Sequence, residues 1–222
     1  MAQNIVLWPG QVSNSLVQNT ITSSCNEVLS VVSKDLDSGG NGLSGTTSGL
    51  TIRPAVADDA APIAKVHVDS WRTTYKGIVP DDYLNGLSYE RSQKRWLERF
   101  QQGGGGLSTY VAQDQAGDVV GFACGSDNRE DDADYTGELQ AIYLLASSQG
   151  QGIGHMLVRA VAQALNQRGH RSMVVWVLAA NPACGFYEAI GGQSVRQKTI
   201  RIGGVDLNEV QYGWKDVSVL LK

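Results

Sequence analysis

Leu139-Gln-Ala-Ile-Tyr-Leu-Leu-Ala-Ser-Ser-Gln-Gly-Gln-Gly-Ile-Gly154 is an apolar run that passes through a glycine-rich turn directly into a helical pattern. Ile153, Leu157, Ala160, Val161, Ala164 and Leu165 repeat with helical period, while Arg159, Gln163, Asn166 and Arg168 face the other way. A strand that breaks at Ser147-Ser148-Gln149-Gly150 and enters a helix presents backbone N–H groups without intrahelical acceptors, at the positive end of the helix dipole. Glycines there remove the Cβ atoms that would block close approach. The stretch therefore predicts a phosphate or pyrophosphate site.

Working outward, Arg171 to Leu178 is a near-continuous apolar run, as expected of a strand buried on both faces, so strand, helix and strand form a crossover unit. A helix from Pro182 to Ile190 ends at Gly191-Gly192, and two strands follow around a turn at Gly203-Gly204. Upstream, Ser108 to Gln113 and Val119 to Gly125 are joined by Gln-Ala-Gly-Asp, which suits a hairpin, and a further strand runs from Gly137 to Leu145. Thr51 to Val56 reads as a strand, and Asp58 as the N-cap of a helix carrying Ile63, Val66, His67, Ser70 and Trp71. The turn-rich segment Tyr75 to Asn85 leads to Ser88, which caps an amphipathic helix from Tyr89 to Gln102 that stops at Gly103 to Gly106.

Residues 1–49 differ in character, being rich in Ser, Asn, Thr and Gly and closing with the linker-like run from Ser38 to Gly49. Ser24-Cys25-Asn26-Glu27 matches a capping box ahead of Val28, Leu29, Val31, Val32 and Leu36, a short helix that needs something to dock on. The expected division is an extension over 1–38, a linker over 39–49 and one α/β domain over 50–222.

Of the 222 residues, 42% are hydrophobic and 18% charged, with a formal net charge of −4 and no apolar run long enough to span a bilayer. No secretory signal pattern opens the chain, which predicts a cytoplasmic protein with no membrane partner. Cys25, Cys124 and Cys184 have no disulfide or zinc-ligand spacing, and His67, His155 and His170 are scattered, so no metal is expected. The mildly acidic balance counts against nucleic acid, which needs clustered Lys and Arg, but is compatible with a basic substrate.

Three phosphate-binding devices compete for the glycine loop. A Walker loop requires Gly-Lys-Ser/Thr, and here Gly154 is followed by His155-Met156. A dinucleotide-binding GxGxxG begun at Gly150 would need glycine where His155 stands. What remains, Gln149-x-x-Gly152-x-Gly154, resembles the Q/R-x-x-G-x-G/A signature of the GNAT acetyltransferase superfamily. Asn181-Pro-Ala-Cys-Gly-Phe-Tyr187-Glu-Ala-Ile-Gly191-Gly192 resembles a second segment of that superfamily, and His67 to Pro80 and Glu209 to Trp214 resemble a bacterial branch of it. The likeness covers residues 51 onward.

The resemblance implies a GNAT fold: a central mixed, mostly antiparallel twisted sheet of about seven strands, splayed at the fourth and fifth, flanked by about four helices. It implies acetyl-CoA as co-substrate and N-acetylation of a primary amine on a small molecule or protein. Coenzyme would be held by Gln149, Gly150, Gln151, Gly152, Ile153 and Gly154, by the backbone of Ile142, Tyr143 and Leu144, and by Asn181. Glu138 would take the amine proton, since an alkylammonium has a pKa of about 10, and Tyr187 would protonate the departing thiolate. Trp71, Tyr75 and Tyr83 would wall the acceptor cleft. A different acyl-CoA, a non-catalytic acyl-CoA-binding module, and a homodimer stay open at this point.

Overall fold

The protein is described as a computed structural model covering residues 49–102, 106–130 and 132–222. The helix expected after Ser24, and the extension and linker as far as Ser48, lie outside the described residues. The chain runs β1 (Thr51–Pro54), α1 (Ala60–Thr74), α2 (Asp81–Asn85), α3 (Tyr89–Gln101), β2 (Ser108–Gln113), β3 (Val119–Asp127), β4 (Gly137–Leu144), α4 (Ile153–Gln167), β5 (Met173–Leu178), α5 (Cys184–Ala189), β6 (Gln193–Ile202) and β7 (Val205–Trp214). One seven-stranded sheet has the order β1-β2-β3-β4-β5-β7-β6. Every neighbouring pair is antiparallel except β4 with β5, the pair that the α4 crossover connects.

Every residue of β4 and of β5 is buried, because helices cover both faces of the sheet at its centre. On one face α1 and α3 bury Trp71, Trp96, Phe122, Cys124 and Tyr143. On the other α4 buries Leu157, Val161 and Leu165 against Ile142, Leu144, Val175 and Val177. The α4 face approaches β3 so closely that a Cβ on Gly125 would lie 2.4 Å from Val161 Cγ1 and 2.9 Å from the Glu138 carbonyl oxygen. Gly125→Ala is therefore expected to cost about 1–3 kcal/mol through overpacking, measurable as a lower urea midpoint with an unchanged slope.

Several boundaries differ from the sequence expectation. The N-cap of α1 is Asp59, not Asp58; a short 3-10 turn over Ala57–Asp59 carries the chain into the helix. The Asp59 carboxylate is taken up by Arg53 at 2.7 and 2.8 Å and by the Val56 N–H at 2.8 Å, which holds the turn to β1. The first strand stops at Pro54, and α5 begins at Cys184 because Asn181 Oδ1 accepts from the Ala183 N–H and holds a turn there. Ser88 does cap α3, accepting from the Arg91 N–H.

Candidate active site

The glycine loop closes β4 and opens α4. After a 3-10 turn over Ala146–Ser148, Gly150 (φ 75°) and Gly152 (φ 79°) take left-handed conformations that L side chains rarely adopt. These two reversals turn the backbone so that none of the N–H groups of residues 150–154 donates to a backbone carbonyl among the described residues. A cavity of about 160 Å³ lies over them, lined by Leu144, Gln149, Gly152, Gly154, His155 and Phe186. Gln149 also borders a second cavity of about 250 Å³ with Thr73, Asn181 and Pro182.

The sheet opens at the same place. Strands β4 and β5 pair only at Gly137 with Met173 and Glu138 with Val174, and beyond those two pairs they part. Helix α1 holds the β4 side of the opening, with Ser70 Oγ donating to the Leu144 carbonyl at 3.1 Å and Trp71 Nε1 donating to the Tyr143 hydroxyl at 3.0 Å. The Gln149 amide donates to the same Leu144 carbonyl at 3.3 Å. On the β5 side, Asn181 Nδ2 donates to the Tyr75 hydroxyl at 3.1 Å.

Three phenols gather here: Tyr75 just after α1, Tyr143 on β4 and Tyr187 on α5. Burial pushes the Tyr75 phenol well above its usual value, and the neighbouring Tyr143 and Tyr187 add to it. Burial does the same to Tyr187, with Tyr143 and Cys184 contributing. The Tyr187 hydroxyl is buried and has no hydrogen-bond partner among the described residues, an arrangement that costs about 1–3 kcal/mol. A proton donor kept neutral and left unpaired inside a fold is a group with something still to bond.

The glycine loop lies beside a parted parallel strand pair, in a fold shared with known proteins. A family model described as FR47-like protein matches residues 132–202. The uncharacterised N-acetyltransferase YuaI of Bacillus subtilis is 46% identical over 171 residues, spanning 77% of this chain and 96% of its own. The chain belongs to the GNAT superfamily of acyl-CoA-dependent N-acetyltransferases. The GNAT fold extends to distant solved structures. The PaiA N-acetyltransferase of Thermoplasma acidophilum, solved with coenzyme A, is 20% identical, covers 74% of this chain and 99% of its own, and superposes with a TM-score of 0.59. A GNAT superfamily phosphinothricin acetyltransferase of Sinorhizobium meliloti, solved with AcCoA, gives 23% identity, coverage of 75% and 88%, and a TM-score of 0.57.

Within this acetyltransferase the residues singled out from sequence separate into groups. Glu138 is 2% exposed in the middle of the sheet, and its carboxylate accepts from the Arg129 backbone N–H at 3.2 Å, from Arg129 Nε at 2.9 Å and from Arg129 Nη2. Trp71 and Tyr83 line a cavity of about 710 Å³ between α1, α2 and α3, together with His67, Arg91 and Arg95. Tyr75 is not on that wall; it is fully buried against Asn181, because the C-terminal end of α1 turns inward toward β5. Burial holds the His67 imidazole neutral, down to about 3, with Arg95 contributing. Among the described residues no cluster of His, Cys, Asp and Glu could hold a metal, and no helix is long and apolar enough to cross a membrane.

One site residue escaped the sequence reading. Glu209 on β7 is 3% exposed, and desolvation pushes its carboxyl up to about 7, with Glu130 and Glu138 adding to the rise while Lys198 and Arg129 oppose it. A signal was present: β7 alternates so that Glu209 and Gln211 share one face of a strand otherwise ending in Tyr-Gly-Trp. Only the pairing of β7 on both sides, with β5 and β6, turns that alternation into a pair of buried polar side chains.

Proposed function

We propose that this acetyltransferase moves the acetyl group of acetyl-CoA to a primary amine of a small molecule or protein by direct attack of the amine. The co-substrate supplies an activated thioester; the chain holds it and manages the protons. The N–H groups of residues 150–154, from Gly150 through Gln151, Gly152 and Ile153 to Gly154, receive the pyrophosphate at the start of α4, with Gln149 at the rim. The β4 backbone at Ile142, Tyr143 and Leu144 pairs with the pantetheine arm as an added strand and offers N–H donors to the developing oxyanion, each worth about 2.7–4 kcal/mol. Asn181, oriented by the Ala183 N–H and the Tyr75 hydroxyl, holds the arm on the β5 side. Tyr187 gives its proton to the departing thiolate, and a buried carboxylate takes one from the amine.

The observation that carries this reading is the coincidence of two features. The sheet parts after Gly137 and Glu138, and at the mouth of that opening Gly150, Gly152 and Gly154 line a cavity where none of the N–H groups of residues 150–154 donates to a backbone carbonyl among the described residues. Gly150, Gln151 and Gly152 are exposed, so N–H groups at the start of a helix are open to an anionic ligand there. Residues 50–222 form the catalytic unit in this proposal, with 1–38 as an extension and 39–49 as its linker. A net charge of −4 fits a cationic amine acceptor better than nucleic acid, and the cytoplasm, where acyl-CoA is found, is the expected location.

Calorimetric titration of acetyl-CoA, followed by thiol release with a panel of primary amines, tests the proposal. Micromolar binding together with amine-dependent release of coenzyme A supports it. Binding without release for any amine would favour a module that holds an acyl-CoA without turnover, and no binding to folded protein would overturn both readings.

A further inference from the structure

Two carboxylates are buried on the α1 face near the opening, and they are not equivalent. Glu138 is clamped by Arg129, whose backbone N–H, Nε and Nη2 all donate to it. The clamp attaches the loop after β3 to β4 and leaves the carboxylate fully engaged. The Glu209 carboxylate accepts no hydrogen bond among the described residues, and its one ion-pair partner there, Lys198 Nζ, is 3.9 Å away. Register places Glu209 opposite Leu178 on β5, at the end of the strand that leads to Asn181, and opposite Lys198 on β6. Its charge is felt by the Tyr75 phenol, which is bonded to Asn181.

The surroundings of Glu209 are already suited to an alkylammonium. Lys198 Nζ lies 3.8 Å from the Trp176 ring centroid and donates to Glu130 at 2.9 Å, so an aromatic face and two carboxylates converge on one –NH₃⁺. Gln211, next along the same face of β7, has a buried Nε2 with no partner among the described residues, so the cluster holds a further unused donor.

Resting on the reading of the chain as an amine acetyltransferase, we propose that Glu209, and not Glu138, takes the proton from the acceptor ammonium. One N–H bond of the ammonium breaks as an O–H bond forms on the Glu209 carboxylate. Nitrogen keeps the electron pair for attack, and the proton passes to water after turnover, which restores the carboxylate. Glu138 acts as a positioning residue that holds Arg129 and the loop. A carboxyl near pH 7 is matched to this task, since it is largely ionised at neutral pH yet basic enough to accept. The groups facing it are Lys198 and Arg129, which lower it, and Glu130 and Glu138, which raise it, with Tyr75 beyond.

The test uses the full chain, Glu209→Gln and Glu138→Gln, with acetyl-CoA and spermidine, tyramine and a lysine-containing peptide as acceptor probes. For Glu209→Gln, kcat/KM at pH 7 is expected to fall about 10²–10⁴-fold, and the acidic limb of the pH profile near 7 disappears. For Glu138→Gln the limb remains but moves to lower pH, because a negative charge that raises Glu209 has gone. Carboxyl ¹³C NMR of glutamate-labelled protein supplies an arm that needs no acceptor. One carboxyl titrating near 7, missing in Glu209→Gln and retained in Glu138→Gln, is expected; ordinary titration of Glu209 overturns the proposal, as does loss of the limb in Glu138→Gln alone. If none of the three amines turns over, the amine-transfer reading fails for them while the NMR arm still decides whether Glu209 is the tuned carboxylate. A carboxyl whose pKa is raised in the fold contributes stability that is lost as pH rises through the folded value, so Glu209→Gln is expected to melt no earlier than the parent at pH 8, and a thermal scan of both proteins checks that the variant is folded.

Discussion

Gly152→Glu is expected to raise the dissociation constant for acetyl-CoA by at least about 100-fold while the protein stays folded; each factor of ten corresponds to about 1.4 kcal/mol. Two effects add at this position. Gly152 sits at φ 79°, so any side chain strains the turn that aims the N–H groups, at roughly 1 kcal/mol. A carboxylate there then repels a pyrophosphate in the space the cavity provides. The fold itself tolerates the change, because a Cβ on Gly152 meets nothing within 4 Å. Gly152→Ala shares the strain without the charge and is the control: calorimetry should find it weakened but still binding. Unaltered affinity in the glutamate variant would falsify the loop as the pyrophosphate site.

Tyr187→Phe is expected to lower kcat by about 10²-fold and leave thermal stability unchanged or raised. The sign of the stability effect separates catalysis from packing. The ring packs edge-on against Phe186 at 5.3 Å and beside Tyr212 at 5.9 Å, and phenylalanine keeps those contacts. The hydroxyl has no partner to lose among the described residues, so its removal relieves a desolvation penalty. Because the phenol is held well above pH 10, it remains protonated across the working range, and no alkaline limb between pH 7 and 9 should be traceable to it. A variant that turned over normally but melted earlier would reduce Tyr187 to a packing residue.

Much of this arrangement was legible in the primary structure, and the parts that were not have a common cause. The glycine loop could be read because its two signals, an apolar strand and a helical period, are local, and the left-handed glycines lie between them. Strand β5 could be read as buried on both faces because helices on either side demand uninterrupted apolar residues, as in Val174 to Leu178. Polar residues inside the sheet behave differently. Whether Glu209 meets water or protein depends on β5 and β6 pairing to either side, which sets it opposite Leu178 on one strand and Lys198 on the other. Glu138 was found by resemblance, but its capture by Arg129, nine residues earlier, follows from how the intervening loop folds back. Tyr75 was assigned to the acceptor cleft by resemblance, and its hydrogen bond to Asn181, 106 residues on, joins two positions that no local pattern relates.

The parting of β4 from β5 also bears on how long the protein lasts in a cell. Among the described residues, two residue pairs of the β4–β5 ladder join the β1–β4 half of the sheet to the β5–β7 half. A coenzyme lying along that seam as an extra strand would act as a splint, adding to global stability by RT ln(1 + [L]/Kd), about 2.7 kcal/mol at a hundredfold excess over Kd. Amides of β4 beyond Glu138 and of β5 beyond Val174 would then exchange slowly when coenzyme is plentiful and quickly when it is scarce. Proteases sample those same openings, so the lifetime of the chain would rise and fall with the acyl-CoA pool that it draws upon.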